Sequence, residues 1–489
     1  MIETLLRPAV LVPAVALVAF VIHQLFFAGP KLPKLPILGA KEGDWFPFYQ
    51  ATWRNTINFK AAVQEADQKY RDQAVLMPVA MAQNMVLLPR SETQFVTDQP
   101  DSKLDMHTQA IDALQTDYTT TDPSLVRNPV HHKLITTTLT NQIGNLVPDV
   151  AEETAWAFDK HWGNPDEYQE VCVYDTMRKI VGCVTNRVFV GKPKCRDPAM
   201  LVEEHGIRPG RAPDLDSVAH DMEAPAAPPR SRGQVARPRA QRLPPMDHQA
   251  GQGHGRPLPV EANHPRRPDP PPSTSPPSTP PHFTITSAIP RTSAASKQEY
   301  IDELRAEIEG VLAEHNNQWD KRALAKMQKL DSVMRESARL NSFVTIGLSR
   351  AVVAPEGIVT PSGVRIPRGV TVNVPSYPVF QDSAIYPDAR EFKPFRFAEQ
   401  RSDESVEYVK RAAKAFATTS TDYLAFGHGR NACPGRFFAA NELKLMLAHL
   451  VLSYDIDIGG ERPRNSWFGL NRVPPLQATI RIKKRVMKS

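Results

Sequence analysis

Apolar residues recur at three- and four-residue spacing in two separate blocks of the chain. The first block spans 40–200 and contains "NFKAAVQEADQKYRDQ" and "DVAEETAWAFDKHW", both predicted to be helices by that spacing. The second begins near residue 299, where "EYIDELRAEIEGVLAEHN" and "DKRALAKMQKLDSVMRESARL" predict helices as far as residue 340. Between 357 and 377 the period changes. There "GIVTPSGVRIPRGVTVNVPSY" carries short Val/Ile/Thr runs broken by Pro-Ser-Gly and Pro-Arg-Gly, the signature of brief strands in hairpins. A last helix is predicted over "GRFFAANELKLMLAHLVLSY" (435–454), followed by short strands. The chain reads as mainly α with a minor β region.

The N-terminus has a different pattern. Residues 8–27 are almost uncharged and match the roughly 20 apolar residues that a membrane-spanning helix needs. A cleaved signal has a shorter apolar core, so residues 1–28 are expected to form a single-pass anchor. Lys31, Lys34 and Lys41 follow the segment and only Arg7 precedes it, which puts the rest of the chain on the cytosolic side. The stretch "GPKLPKLPILG" (29–39) cannot continue a helix and reads as a stiff neck.

Composition bounds the remainder. The chain has 489 residues, 41% of them hydrophobic, enough for a sizeable core. A net charge of +6 is small for that length and makes no case for nucleic-acid binding. Cys172, Cys183, Cys195 and Cys433 form no CxxC pair, so neither a zinc ribbon nor a disulfide framework is indicated. The first three read as buried thiols.

Cys433 belongs to "FGHGRNACPGRFFA" (426–439). It stands just before Pro434, which suits the first position of the following helix. A sulfur there lies near unpaired N–H groups and the positive end of the helix dipole, and both favour the thiolate that binds iron. Arg430 is placed to neutralise a carboxylate. The full spacing F-x-x-G-x-R-x-C-x-G is met by Phe426, Gly429, Arg430, Cys433 and Gly435, and it resembles the haem-binding loop of cytochrome P450 monooxygenases. In that family a cysteine is the axial haem ligand and promotes O–O cleavage.

The resemblance implies further residues. "RESARL" supplies an E-x-x-R pair, Glu336 and Arg339, and "FKPFRF" supplies Arg396 to join them in a buried charge cluster. Arg350 matches a family position that contacts a haem propionate. Two departures stand out. The family's W-x-x-x-R is missing from "NPVHHKLITTTLTNQIGNL" (128–146), where His131 and His132 are the only substitutes and read better as exposed helix-start residues. The oxygen-activating segment, with its Thr, is also missing from its place ahead of Glu336.

Residues 207–292 occupy that place and are compositionally foreign. They hold 20 of the chain's 46 prolines and 11 Arg with no Lys, and Phe283 is their one aromatic ring. A disordered linker is the default reading of such a composition. The total length is nevertheless normal for the family, so the segment replaces helices instead of interrupting them. Read one base out of step, Ser273 to His282 can encode Asn-Phe-Ala-Ala-Ile-His-Thr-Thr-Ser, the approximate family segment, at all nine positions. Much of 207–292 is therefore expected to be an out-of-frame translation, with the central helix missing or disrupted.

The expected organisation is an anchor (1–28), an N-terminal part of the monooxygenase domain (29–206), the aberrant segment (207–292) and a C-terminal haem-binding part (293–489). The resemblance implies a monooxygenase in the endoplasmic reticulum membrane that uses haem, O₂ and electrons from NADPH-cytochrome P450 reductase. Its substrate would be a small hydrophobic secondary metabolite: a terpenoid, polyketide or alkaloid. Lys410, Arg411, Lys414 and Lys444 either meet the acidic reductase or are simply solvated. Two alternatives stand beside this reading: a degenerate, inactive haem protein, and a haem-thiolate isomerase or dehydratase that needs no oxygen-activating Thr.

Overall fold

The computed structural model describes residues 32–119 except 81 and 83, then 127–198, 294–458, 460 and 463–486, with position 19 alone before them. The segment 207–292, with the missing or disrupted central helix expected there, lies outside the described residues, and so does the expected anchor apart from position 19. Among the described residues no helix is long and apolar enough to cross a membrane.

The architecture is mainly α with minor sheet. Helices α1 (Pro47–Ile57) and α2 (Phe59–Lys69) precede strands β1 (Val75–Leu76) and β2 (Met85–Leu87). Helix α3 (Thr93–Asp98), strand β3 (Leu104–Asp105) and helix α4 (Met106–Leu114) follow. The N-terminal half ends in α5 (Thr140–His161), β4 (Gln169–Cys172) and α6 (Val173–Phe189). The C-terminal half contributes α7 (Ala294–Glu314), α8 (Gln328–Leu340), β5 (Ile346–Val352), β6 (Thr371–Pro375), α9 (Arg396–Ser402), α10 (Arg436–Ser453), β7 (Tyr454–Asp457) and β8 (Thr479–Lys484). One sheet has the order β1-β2-β6-β5-β3 and another β4-β8-β7. The expected hairpin exists: Ile358–Val359 pairs antiparallel with Arg365–Ile366.

The core forms where apolar faces from both halves meet. Phe158 of α5, Met177 and Val184 of α6, Leu330 and Met334 of α8, and Met446 and Leu450 of α10 share one buried cluster. Helix α10 is apolar nearly all round, and such a helix is stable only when enclosed. Its C-terminal carbonyls are satisfied from α7: Arg305 donates to Val451 O and Tyr454 O, each at 3.0 Å.

Two details differ from the sequence reading. The helix expected over "DKRALAKMQKLDSVMRESARL" is two helices, Lys321–Lys326 and α8, broken at Met327 with φ −72° and ψ 76°. Glu307 of α7 accepts the N–H groups of Lys329 and Leu330 at 2.7 and 2.9 Å, so α8 is capped by another helix. The neck, expected as a spacer, joins the sheet. Leu38 N–H donates to Leu76 O at 2.8 Å, Leu76 N–H donates to Pro36 O at 2.9 Å, and Leu38 is fully buried.

Candidate active site

Cys433 lies at the end of a tight loop whose backbone closes on itself. Its N–H donates to Phe426 O at 2.8 Å, and Ala432 N–H donates to Gly429 O at 3.1 Å. Gly427 and Gly429 have φ of +69° and +72°, the left-handed region that favours glycine. Gly429 is doubly constrained, because a Cβ there would come within 2.9 Å of Thr97 on α3. The loop is also held by side chains: Arg430 donates to Gln99 O, and Asn431 donates to Asp101, both at 3.3 Å. His428 and the hydroxyl of Thr419 lie 3.0 Å apart. Helix α10 begins at Arg436 with Gly435 as its N-cap, so Pro434 sits in the preceding turn instead of the first helical position.

The four cysteines differ in environment. Cys433 is exposed, Cys183 and Cys195 are buried, and Cys172 is half-buried. Burial pushes the Cys183 thiol up to about 12 and raises Cys195 as well, which makes both inert. Cys433 is the one cysteine of the four that is exposed.

Arg350 reaches the same region from β5. The register of β5 against β6 shifts between Gly347 and Arg350, where Leu348 has a φ of +52°. Such a bulge re-aims the following side chain. Arg350 is 4% exposed and its Nη1 donates only to Ser349 O, at 2.8 Å. Burial lowers its pKa, and the carboxylates of Asp101 and Asp105 oppose that shift. It forms no ion pair with a described residue, and a buried guanidinium in that state is costly. The donor set therefore fits a haem: an exposed thiol on a shaped loop, and a buried guanidinium that forms no ion pair among the described residues.

Glu336, Arg339 and Arg396 come together in one buried cluster. Arg339 grips Glu336 with two bonds, Nε to Oε2 at 2.8 Å and Nη2 to Oε1 at 2.7 Å. Arg396 Nε adds a bond to Oε1 at 3.2 Å, and the Lys393 N–H one at 3.1 Å. Glu336 and Arg339 are fully buried. Arg339 also donates to Phe380 O and Ala389 O at 2.5 and 2.6 Å, so the cluster pins an irregular chain segment to α8.

The basic residues divide. Lys410 is exposed and pairs with Glu407 at 3.0 Å, while Arg411 and Lys414 are half-buried. Lys444 is a correction: it is 7% exposed and bonds Asp331 at 2.7 Å, so no partner protein can reach it. A lysine inside the apolar run "LKLMLAHL" was itself a signal of a buried partner. His131 is exposed and His132 half-buried at a helix start.

Comparison with known proteins agrees with this geometry. The family model described as Cytochrome P450 matches residues 293–478. Cytochrome P450 monooxygenase 103 of Postia placenta is 30% identical over 94% of this chain and 92% of its own length. Cytochrome P450 monooxygenase pbrC of Penicillium brasilianum is 26% identical, covering 98% and 96%. Cytochrome P450 monooxygenase astC of Aspergillus terreus is 27% identical, covering 98% and 97%. The chain belongs to the cytochrome P450 family. As such it is an oxidoreductase with a haem cofactor held by a cysteine thiolate, a redox partner and a small-molecule substrate.

Proposed function

We propose that this protein is a membrane-anchored monooxygenase that oxidises a small hydrophobic secondary metabolite at a haem ligated by Cys433. The observation that carries the proposal is the exposed Cys433 on its glycine-shaped loop, supported by a buried Arg350 that has no ion pair among the described residues. When bound, haem supplies the iron at which O₂ is activated. The protein's own residues shape that chemistry. Cys433 donates its sulfur from a loop closed by its N–H bond to Phe426 O. Arg350 and Arg430 would neutralise the cofactor's carboxylates, and Phe426, Gly429 and Gly435 would shape the loop that holds it. Glu336, Arg339 and Arg396 hold the surrounding segment in register.

Electrons come from NADPH-cytochrome P450 reductase, and Lys410, Arg411 and Lys414 are available to its acidic surface. The apolar N-terminal segment and the lysines after it support a site in the endoplasmic reticulum membrane, with the catalytic domain facing the cytosol. Terpenoid, polyketide and alkaloid skeletons are the substrate classes in view.

A second reading rests on one observation: no Thr-containing oxygen-activating segment precedes Glu336 in frame. Under it the chain is inactive or performs an isomerisation or dehydration. The transcript decides the frame, because a message that encodes the prolines of 207–292 without error removes the out-of-frame proposal. Product analysis with NADPH, reductase and O₂ separates oxidation from the alternatives.

The ligand assignment is tested by the reduced carbon-monoxide difference spectrum. Wild type should show the thiolate signature and Cys433→Ala should lack it. An unchanged spectrum in the variant would refute the assignment.

A further inference from the structure

A second buried charge cluster joins the helix that follows Cys433 to α8. Asp331 and Lys444 are 6% and 7% exposed, with Nζ 2.7 Å from Oδ1. Lys444 also donates to Leu324 O at 3.1 Å. The other carboxylate oxygen, Oδ2, accepts the Phe416 N–H at 2.7 Å and Arg401 Nη1 at 3.3 Å. One turn further along α8, Arg335 continues the hold on that segment. It is 2% exposed, donates to Ala415 O and to Thr418 O (2.8 Å), and lies 3.7 Å from the centre of the Tyr423 ring. Phe416 stacks edge-on against Phe426, with centroids 5.2 Å apart, and the carbonyl of Phe426 accepts the Cys433 N–H.

One carboxylate thus reaches Cys433 along two routes. Through Lys444 it holds α10, which starts just after the cysteine. Through Phe416 and Phe426 it holds the strand of chain that leads into the loop. The loop's own bonds close it on itself, and its flanks set where that closed loop sits, so the sulfur's placement also depends on how they are anchored.

We propose that Asp331 is a positioning residue for the Cys433 sulfur, clamping both flanks of the haem loop to α8. The inference rests on the reading of Cys433 as the haem ligand. A carboxylate with three donors in a water-poor setting is a directional tether, whereas Asn in its place keeps the shape and loses the charge assistance. Removing only one partner of the pair also leaves an uncompensated buried charge, which destabilises the fold for a separate reason.

The test separates those two effects. Full-length wild type, Asp331→Asn, Lys444→Met, the double variant D331N/K444M and Lys444→Arg are compared. Total haem is measured as the pyridine haemochrome, thiolate ligation by the reduced carbon-monoxide spectrum, and stability by thermal unfolding. The double variant should recover much of the wild-type Tm because no uncompensated pair remains. Its ratio of thiolate-ligated to unligated haem should stay roughly tenfold lower, the change expected for one lost charge-assisted hydrogen bond. Lys444→Arg should keep the wild-type ratio.

If the ratio recovers together with Tm, or is unchanged in Asp331→Asn at equal haem, Asp331 only holds the fold and the proposal fails. Should the Asp331 variants not fold, Arg401→Met loosens the same carboxylate from its surface side. An unchanged ratio there overturns the proposal and a lowered one supports it. A wild type with no thiolate signature defeats the Cys433 reading and this inference together. A wild type that has it, with indifferent variants, defeats this inference alone.

Discussion

Cys433 and Arg350 show how far single residues can be read. The cysteine stood out because its neighbours are local: three glycines, an arginine and a proline lie within seven positions of it in "FGHGRNACPG". The state of Arg350 could not be read that way. Its burial follows from a bulge in β5, and Asp101 and Asp105 oppose the cost of that burial without forming an ion pair with it among the described residues. A guanidinium in that setting raises the energy of the empty protein and lowers it again when an anionic group arrives. Arg350→Leu should therefore weaken haem retention about tenfold, by loss of one charge-assisted contact. The apoprotein's Tm should stay equal to wild type or rise. Haem transfer to a scavenger protein, measured beside thermal unfolding, checks both parts. Lys444 teaches the converse: its charge suggested a surface, and its surroundings made it core.

At the scale of elements, periodicity located the helices well and their ends less well. Helix α8 starts where Glu307, some twenty residues earlier in α7, supplies the cap, and no local Ser, Thr or Asp marks that start. Helix α10 was legible as a long apolar run, yet the same burial produces two titrations that the run does not announce. Burial pushes the Glu442 carboxyl from 4.5 up to about 7, opposed by a 2.5 Å bond from Thr185 of α6. It pulls His449 from 6.5 down to about 4, with Lys484 adding to the effect. The signs oppose. Glu442 ionises in the unfolded chain before it does so in the folded one, so its share of stability is lost as pH rises from 4.5 through about 7. His449 binds its proton first in the unfolded chain, so its share is lost as pH falls from 6.5 through about 4. Glu442→Gln should remove the first slope and gain on the order of 3 kcal/mol above neutrality. Urea unfolding at pH 5 and pH 8 measures this: the gain should appear at the higher pH and be much smaller at the lower.

For the whole molecule, the open features are where the chain sits and what its centre encodes. The full chain should float with liposomes after a high-salt wash, because about twenty apolar residues anchor independently of charge. Recovery in the unbound fraction would overturn the anchor proposal. The sequence by itself determined the family, the α-rich class, the glycine-rich Cys433 loop and the E-x-x-R pair, since each is a matter of spacing within one short segment or of the order of such segments. Only the tertiary structure decided that the neck pairs with β1, that Lys444 faces Asp331 and that Arg350 is buried with no ion pair among the described residues. Charges acquire their energies from what surrounds them, and those surroundings are assembled from parts of the chain more than a hundred residues apart.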